Sequence, residues 1–124
     1  MILSRNIVEQ VAYNAGFRGN ALDNSVEIAG CESGFDTNAY NLTNREDSRG
    51  LWQINIKANP QFASWDLFDP QINANAAYQL YKNRGDNFSD WTCAIMLNLV
   101  NPTTLSISTL AIVSILVLYL LSED

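Results

Sequence analysis

The chain has 124 residues, 48% of them hydrophobic, with no histidine, two cysteines and a formal charge of −6. That length allows one small domain of about a hundred residues plus a separate apolar segment. The missing histidine excludes a histidine-based catalytic triad and a histidine metal site, and the seven scattered lysines and arginines form no basic stripe for nucleic acid.

The opening residues, Met1-Ile-Leu-Ser-Arg-Asn-Ile, hold no uninterrupted apolar core and no small-residue cleavage site, so they do not read as a signal peptide. Ile7, Val8, Val11, Ala12 and Ala15 recur at helical spacing, and Gly16 ends that run as a C-cap. A second helix opens at Asn20, Ala21 and Leu22. Leu22, Val26, Ile28, Ala29 and Cys31 are its apolar positions, Asp23 and Glu27 point outward, and the helix stops near Ser33 and Gly34. Residues 36–49 are polar and rich in Asn and Thr, as in a loop or irregular hairpin lining a cleft. Leu51 to Ile56 reads as a short strand or extended turn, broken by Asn59-Pro60. Asp69-Pro70 starts a third helix with an Ile72, Ala76, Ala77, Leu80, Tyr81 stripe that Gly85 ends. Residues 88–100 read as the last helix of the domain.

Cys31 and Cys93 have no metal-ligand spacing. Helical periodicity would turn Cys31 inward, and buried free thiols acting as small hydrophobes are the plainer reading. A disulfide joining the helix of Cys31 to the last helix is the alternative, and it would require an oxidising compartment. Beyond Pro102, residues 103–121 carry no charge and only Ser, Thr and Tyr as polar residues. As a helix this stretch would be about 28 Å long, close to the hydrocarbon thickness of a bilayer. A domain this small could hardly surround a helix that is apolar on every face. The expected organisation is therefore a domain at 1–102, a single-pass membrane anchor at 103–121 and a short acidic tail at 122–124.

The most informative stretch is Glu32-Ser-Gly-Phe-Asp, followed by Ala39, by Ser48-Arg-Gly-Leu-Trp-Gln-Ile-Asn55, and by Leu67-Phe-Asp-Pro-Gln-Ile-Asn-Ala-Asn-Ala-Ala-Tyr78. In this order the motifs resemble the lysozyme-like superfamily, and within it the lytic transglycosylases that cut bacterial cell-wall glycan, over roughly residues 7 to 95. Ala12-Tyr-Asn-Ala-Gly16 also spells a family motif, but it stands before the glutamate instead of after it and is read as coincidence. The resemblance implies a mainly helical α+β fold with a small or absent β-hairpin. It implies no cofactor and no metal.

Breaking a glycosidic bond needs a proton on the departing oxygen and stabilisation of an oxocarbenium-like centre. A carboxylic acid supplies that proton near neutral pH when apolar surroundings disfavour its charged form. By the resemblance, Glu32 is this acid. Gln53 and Asn55 would line the sugar subsites, Ser33 and Ser48 would lie beside the carboxylate or the N-acetyl group, and Trp52 or Tyr78 would stack on a sugar face. Core packing is the plainer role for the aromatic residues, and for Trp91 it is preferred. Gly50 is expected to matter through backbone geometry, because a groove floor needs close approach.

Hydrolysis and transglycosylation differ in their need for a second carboxylate. Where animal-type lysozymes carry an aspartate, two residues before the glycine, this chain has Ser48, followed by Arg49 as in the bacterial transglycosylases. The expected reaction is thus lytic transglycosylation of the MurNAc-GlcNAc β-1,4 bond to 1,6-anhydro-muramyl ends. A hydrolytic muramidase using Asp47 as second carboxylate is the alternative, with Asp36 a more distant candidate. A non-catalytic wall-binding or structural virion membrane protein is the alternative of another class. A departure from the family lies near the domain end, where Trp91-Thr-Cys93 leads directly into Ala-Ile-Met. The expected partners are peptidoglycan glycan strands and, through residues 103–121, a lipid bilayer. The expected location is a bacteriophage virion membrane or a bacterial envelope membrane, with the domain facing peptidoglycan.

Overall fold

The computed structural model describes residues 1–100. Two units divide the chain, Met1–Leu80 and Tyr81–Asp124. Among the described residues, no helix is long and apolar enough to cross a membrane. The expected anchor at 103–121 and tail at 122–124 lie outside them.

In the first unit, residues at the start of the chain run extended beside the segment that follows the second helix. Leu3 N donates to Phe35 O at 2.9 Å and Thr37 N to Met1 O at 2.9 Å. Helix α1 spans Arg5–Ala15, with the Ser4 side chain accepting from Ile7 N. Val8 and Ala12 are its buried residues. Helix α2 spans Gly19–Ser33 and buries Ser25, Val26, Ile28 and Ala29 against the body of the unit. Gly34 stops it in the left-handed conformation (φ 62°), with its N–H on Gly30 O.

A three-stranded antiparallel sheet follows, in the order β1 (Tyr40–Leu42), β2 (Asp47–Arg49), β3 (Ile54–Asn55). Of the small or absent hairpin that the resemblance implied, the small one is present, and the polar run that precedes Leu51 contributes two of its strands. The register pairs Tyr40 with Arg49, Asn41 with Ser48 and Leu42 with Asp47, then Ser48 with Asn55. Because successive side chains alternate between faces, Asn41, Ser48 and Asn55 share one face, and Tyr40, Leu42, Asp47 and Arg49 share the other. A short 3-10 turn at Pro60–Phe62 leads on to helix α3 (Pro70–Asn83). Asp69 caps α3, its Oδ1 accepting from Gln71 N at 2.9 Å and Ile72 N at 3.0 Å. The fully buried large side chains of this unit include Trp52, Phe17, Phe62, Ile28, Leu51, Ile54 and Leu67.

The second unit begins with the last turn of α3 and continues into α4, Thr92–Met96. The expectation of a helix over 88–100 is corrected here. Phe88 is buried and stacks between Tyr81 (4.5 Å) and Trp91 (5.9 Å), while Asp90 is held by Arg84 at 3.1 Å. Trp91 is extended (φ −106°, ψ 122°), so the helix cannot begin before Thr92, and left-handed Asn98 (φ 58°) closes the segment. Core packing fits Trp91, which is 4% exposed.

The reading of two buried free thiols is also overturned. Cys31 and Cys93 are both disulfide-bonded, and Cys31 is exposed. The geometry of α2 explains its exposure. Ser25, Val26, Ile28 and Ala29 form its buried stripe, and at about 100° per residue Cys31 falls well away from the centre of that stripe, whereas Glu32 falls near it.

Candidate active site

Glu32 lies in the last turn of α2, half-buried, four residues after buried Ile28 and three after buried Ala29. The chain must turn sharply after it. Gly34 supplies the first left-handed residue, and Phe35 is a second (φ 64°) despite its bulky side chain. Its ring is seated against Gly30, where an added Cβ would stand 3.3 Å away, with the Arg5 guanidinium 5.6 Å from the ring centroid. A bulky residue in this conformation costs of order 1–3 kcal/mol and persists only where its surroundings over-determine it. The Ser33 hydroxyl donates back to Ala29 O at 2.9 Å.

The second motif forms the β2–β3 connection. Gly50 has φ 76°, and an added Cβ would collide with Leu67 O and Asn73 Nδ2. The expected need for close backbone approach at Gly50 is therefore met, against the start of the third motif. Gln53 is left-handed as well (φ 49°). Its Nε2 donates to Ala39 O and Gly50 O, both at 3.0 Å, and its Oε1 accepts from Asn41 Nδ2 at 2.6 Å. Both amide donors are thus spent on shaping the loop, and a sugar contact from Gln53 must use the remaining acceptor capacity of Oε1. Asn55 is similarly engaged. Its Oδ1 accepts from Asp47 N at 3.0 Å and Lys57 N at 3.1 Å. Ser48 is 3% exposed on the face it shares with Asn55.

The structure buries one of the two stacking candidates completely and the other in part. Trp52 has no exposed surface, and its indole N–H donates to Ser25 O at 2.9 Å. It fastens the sheet loop to α2 at Ser25, eight residues before Ser33. Tyr78 is half-buried, with its ring edge against Gly16 and its centroid 5.0 Å from that of Phe17.

Asp47 and Arg49 form a bidentate pair on one face of β2, at 2.8 Å (Nε to Oδ1) and 3.2 Å (Nη2 to Oδ2). The Arg49 guanidinium, with smaller help from Lys57 and the Tyr40 hydroxyl, holds the Asp47 carboxyl below the usual carboxylate range. Asp36 is also held low, first by the Asn38 N–H and then by the Met1 ammonium.

The residue that joins these pieces was not singled out from sequence. Asn73 on α3 is fully buried. Its Oδ1 accepts from Trp52 N at 2.8 Å, and its Nδ2 donates to Arg49 O at 2.7 Å and Leu67 O at 2.8 Å. One amide thus fastens the second motif to the third. The available sequence signal was its place in the third motif, one turn into a helix whose other inward positions are apolar.

With this geometry in place, comparison with known protein families gives one match. A family model described as a lysozyme-like domain covers residues 9–93, more than half of the chain. The chain belongs to the lysozyme-like domain family. No curated protein and no solved structure matches it. The matched span of this lysozyme-like domain runs from α1 to the start of α4 and includes Glu32, the sheet and Asn73. Membership supports a glycosidase-type enzyme acting on peptidoglycan.

Proposed function

We propose that the protein is a lytic transglycosylase in which Glu32 is the single acid and base. Glu32 first protonates the glycosidic oxygen leaving C1 of the muramyl residue. The substrate's N-acetyl group stabilises the cationic centre, and Glu32 then takes the proton from the muramyl 6-hydroxyl as O6 bonds C1, giving the 1,6-anhydro end. The observation that carries this reading is the commitment of Asp47, the rival carboxylate that the motif position singles out. Asp47 spends both oxygens on the Arg49 fork, so the carboxylate nearest the lysozyme position is already charge-compensated.

The muramidase reading keeps one point in its favour. A carboxyl held low remains ionised at neutral pH, as an electrostatic stabiliser or nucleophile must. Mass spectrometry of fragments released from sacculi by the full chain separates the two. Anhydro-muramyl ends that vanish with Glu32→Gln support the transglycosylase. Reducing ends make the protein a hydrolase and promote Asp47, and an inert folded protein moves the assignment to a non-catalytic wall-binding role.

We also propose that residues 103–121 tether the enzyme to a membrane, so that wall opening is local. Retention of the chain in the membrane pellet after alkaline carbonate extraction supports the tether, and release to the supernatant sinks it. A phage particle is the proposed setting, tested by detecting the chain in purified virions.

A further inference from the structure

We propose that the outer face of the hairpin is a glycan-stacking platform, in which Tyr40 and Phe68 receive the apolar face of an N-acetylated amino sugar and the Asp47–Arg49 fork meets its polar edge. The choice of ligand rests on the peptidoglycan reading above. Tyr40 is 47% exposed and Phe68 36%, and their rings meet edge to face at 6.0 Å. Paired exposed aromatics of this kind mark binding surfaces more often than isolated surface hydrophobes do.

These rings stand on a fixed frame. The residue before Tyr40 is pinned because Ala39 O accepts from Gly50 N at 2.8 Å and from Gln53 Nε2. The residue before Phe68 is pinned because Leu67 O accepts from buried Asn73 Nδ2, whose other donation goes to Arg49 O. The Tyr40 hydroxyl helps to hold the Asp47 carboxyl low, and the Arg49 guanidinium lies 5.8 Å from the Tyr40 ring centroid. A platform ordered before binding loses little conformational entropy when it is occupied.

Sugar is the ligand whose shape and polarity fit. A pyranose ring presents C–H groups on one face and hydroxyl or amide groups around its edge. It therefore asks for an aromatic surface beside a planar donor–acceptor fork. Mutual neutralisation of Asp47 and Arg49 suits an uncharged glycan backbone. The platform lies on the sheet face opposite to Ser48 and Asn55.

The test uses the full chain carrying Glu32→Gln, in a zwitterionic detergent, titrated calorimetrically with the N-acetylglucosamine hexamer. Tyr40→Ala and Phe68→Ala are each expected to weaken binding roughly fivefold to tenfold, the range for losing one aromatic contact. Tyr40→Phe is expected to retain most of the affinity, and all three variants should melt as the parent does. Tyr13→Ala removes a ring of equal exposure on α1 and should leave binding unchanged. Full affinity in both alanine variants, equal weakening by Tyr13→Ala, or no binding by the parent overturns the platform. So does loss of self-association in place of loss of sugar binding, which would make the face a contact between copies. Wild-type protein that cleaves sacculi while Tyr40→Ala binds normally sinks the platform alone. Absence of cleavage with intact platform binding sinks the catalytic reading alone.

Discussion

Asn73→Ala isolates the contribution of the buried amide that joins the motifs. The substitution leaves three backbone groups without their partner: the Trp52 N–H and the carbonyls of Arg49 and Leu67. Each orphaned buried group costs about 1–3 kcal/mol. Relaxation and water entry recover part of that sum, so the expected loss is about 3–5 kcal/mol. This is a large fraction of the roughly 5–15 kcal/mol that holds a domain of this size together, and it corresponds to a melting drop of more than about 12 °C. Urea denaturation followed by tryptophan fluorescence measures it directly, because Trp52 sits at the site. Asn73→Asp keeps the acceptor but aims a carboxylate oxygen at two carbonyls, so it should be at least as unstable. A loss below about 1 kcal/mol for Asn73→Ala would refute the reasoning, since it would mean that the three groups find partners without the side chain.

Gly50→Ala should cost more than about 2 kcal/mol, from the left-handed backbone together with the collision with Leu67 O and Asn73 Nδ2. A normal urea midpoint would show that the loop yields. Asp36 and Asp47 are both held low in the folded protein, so the stability they supply is complete above the unfolded value of about 3.9 and is lost as pH falls through the lower folded values. Asp47→Asn should flatten the acid limb of a melting-temperature profile below about pH 4, and an unchanged limb counts against the Arg49 pairing. Iodoacetamide should label neither cysteine before reduction and both after it. Reduction should lower the melting temperature by an amount equivalent to about 2–5 kcal/mol. Labelling of the untreated protein would contradict the bonded state.

Helix positions were legible because each carries its own punctuation. Gly16 and Gly34 end α1 and α2, and Asp69-Pro70 opens α3, all within one or two residues of the expected bounds. The last helix was overextended because Phe88 and Trp91 continue an apolar rhythm while serving an aromatic stack that requires an extended backbone at Trp91. Cys31 was misplaced because the periodicity was read through Ile28 alone, three residues earlier, whereas the centre of the buried stripe of α2 leaves Cys31 outside. The strand pairing of residues 40–49 was hidden because its residues are polar and alternate without a hydrophobic face. There the fold is set by hydrogen bonds from Gln53, Asn55 and Asn73, and periodicity analysis is blind to these.

The same distinction separates the two kinds of motif residue. Gln53, Asn55, Trp52 and Asn73 sit at motif positions, yet their polar groups are largely consumed within the protein. They brace the turn at Gln53, which with Phe35 is one of the two non-glycine residues of the first unit with left-handed backbone; Phe35 is seated separately, against Gly30 and Arg5. Those turns lie directly after Glu32 and directly before Asn55, where the chain must leave a helix and a hairpin at fixed angles. Strained backbone at both places is held by its surroundings, as functional turns commonly are. A motif match therefore reports mainly on this scaffold. The groups that select the substrate are to be sought among side chains that the scaffold holds rigid and leaves exposed, such as Tyr40 on the hairpin and Phe68 beside it.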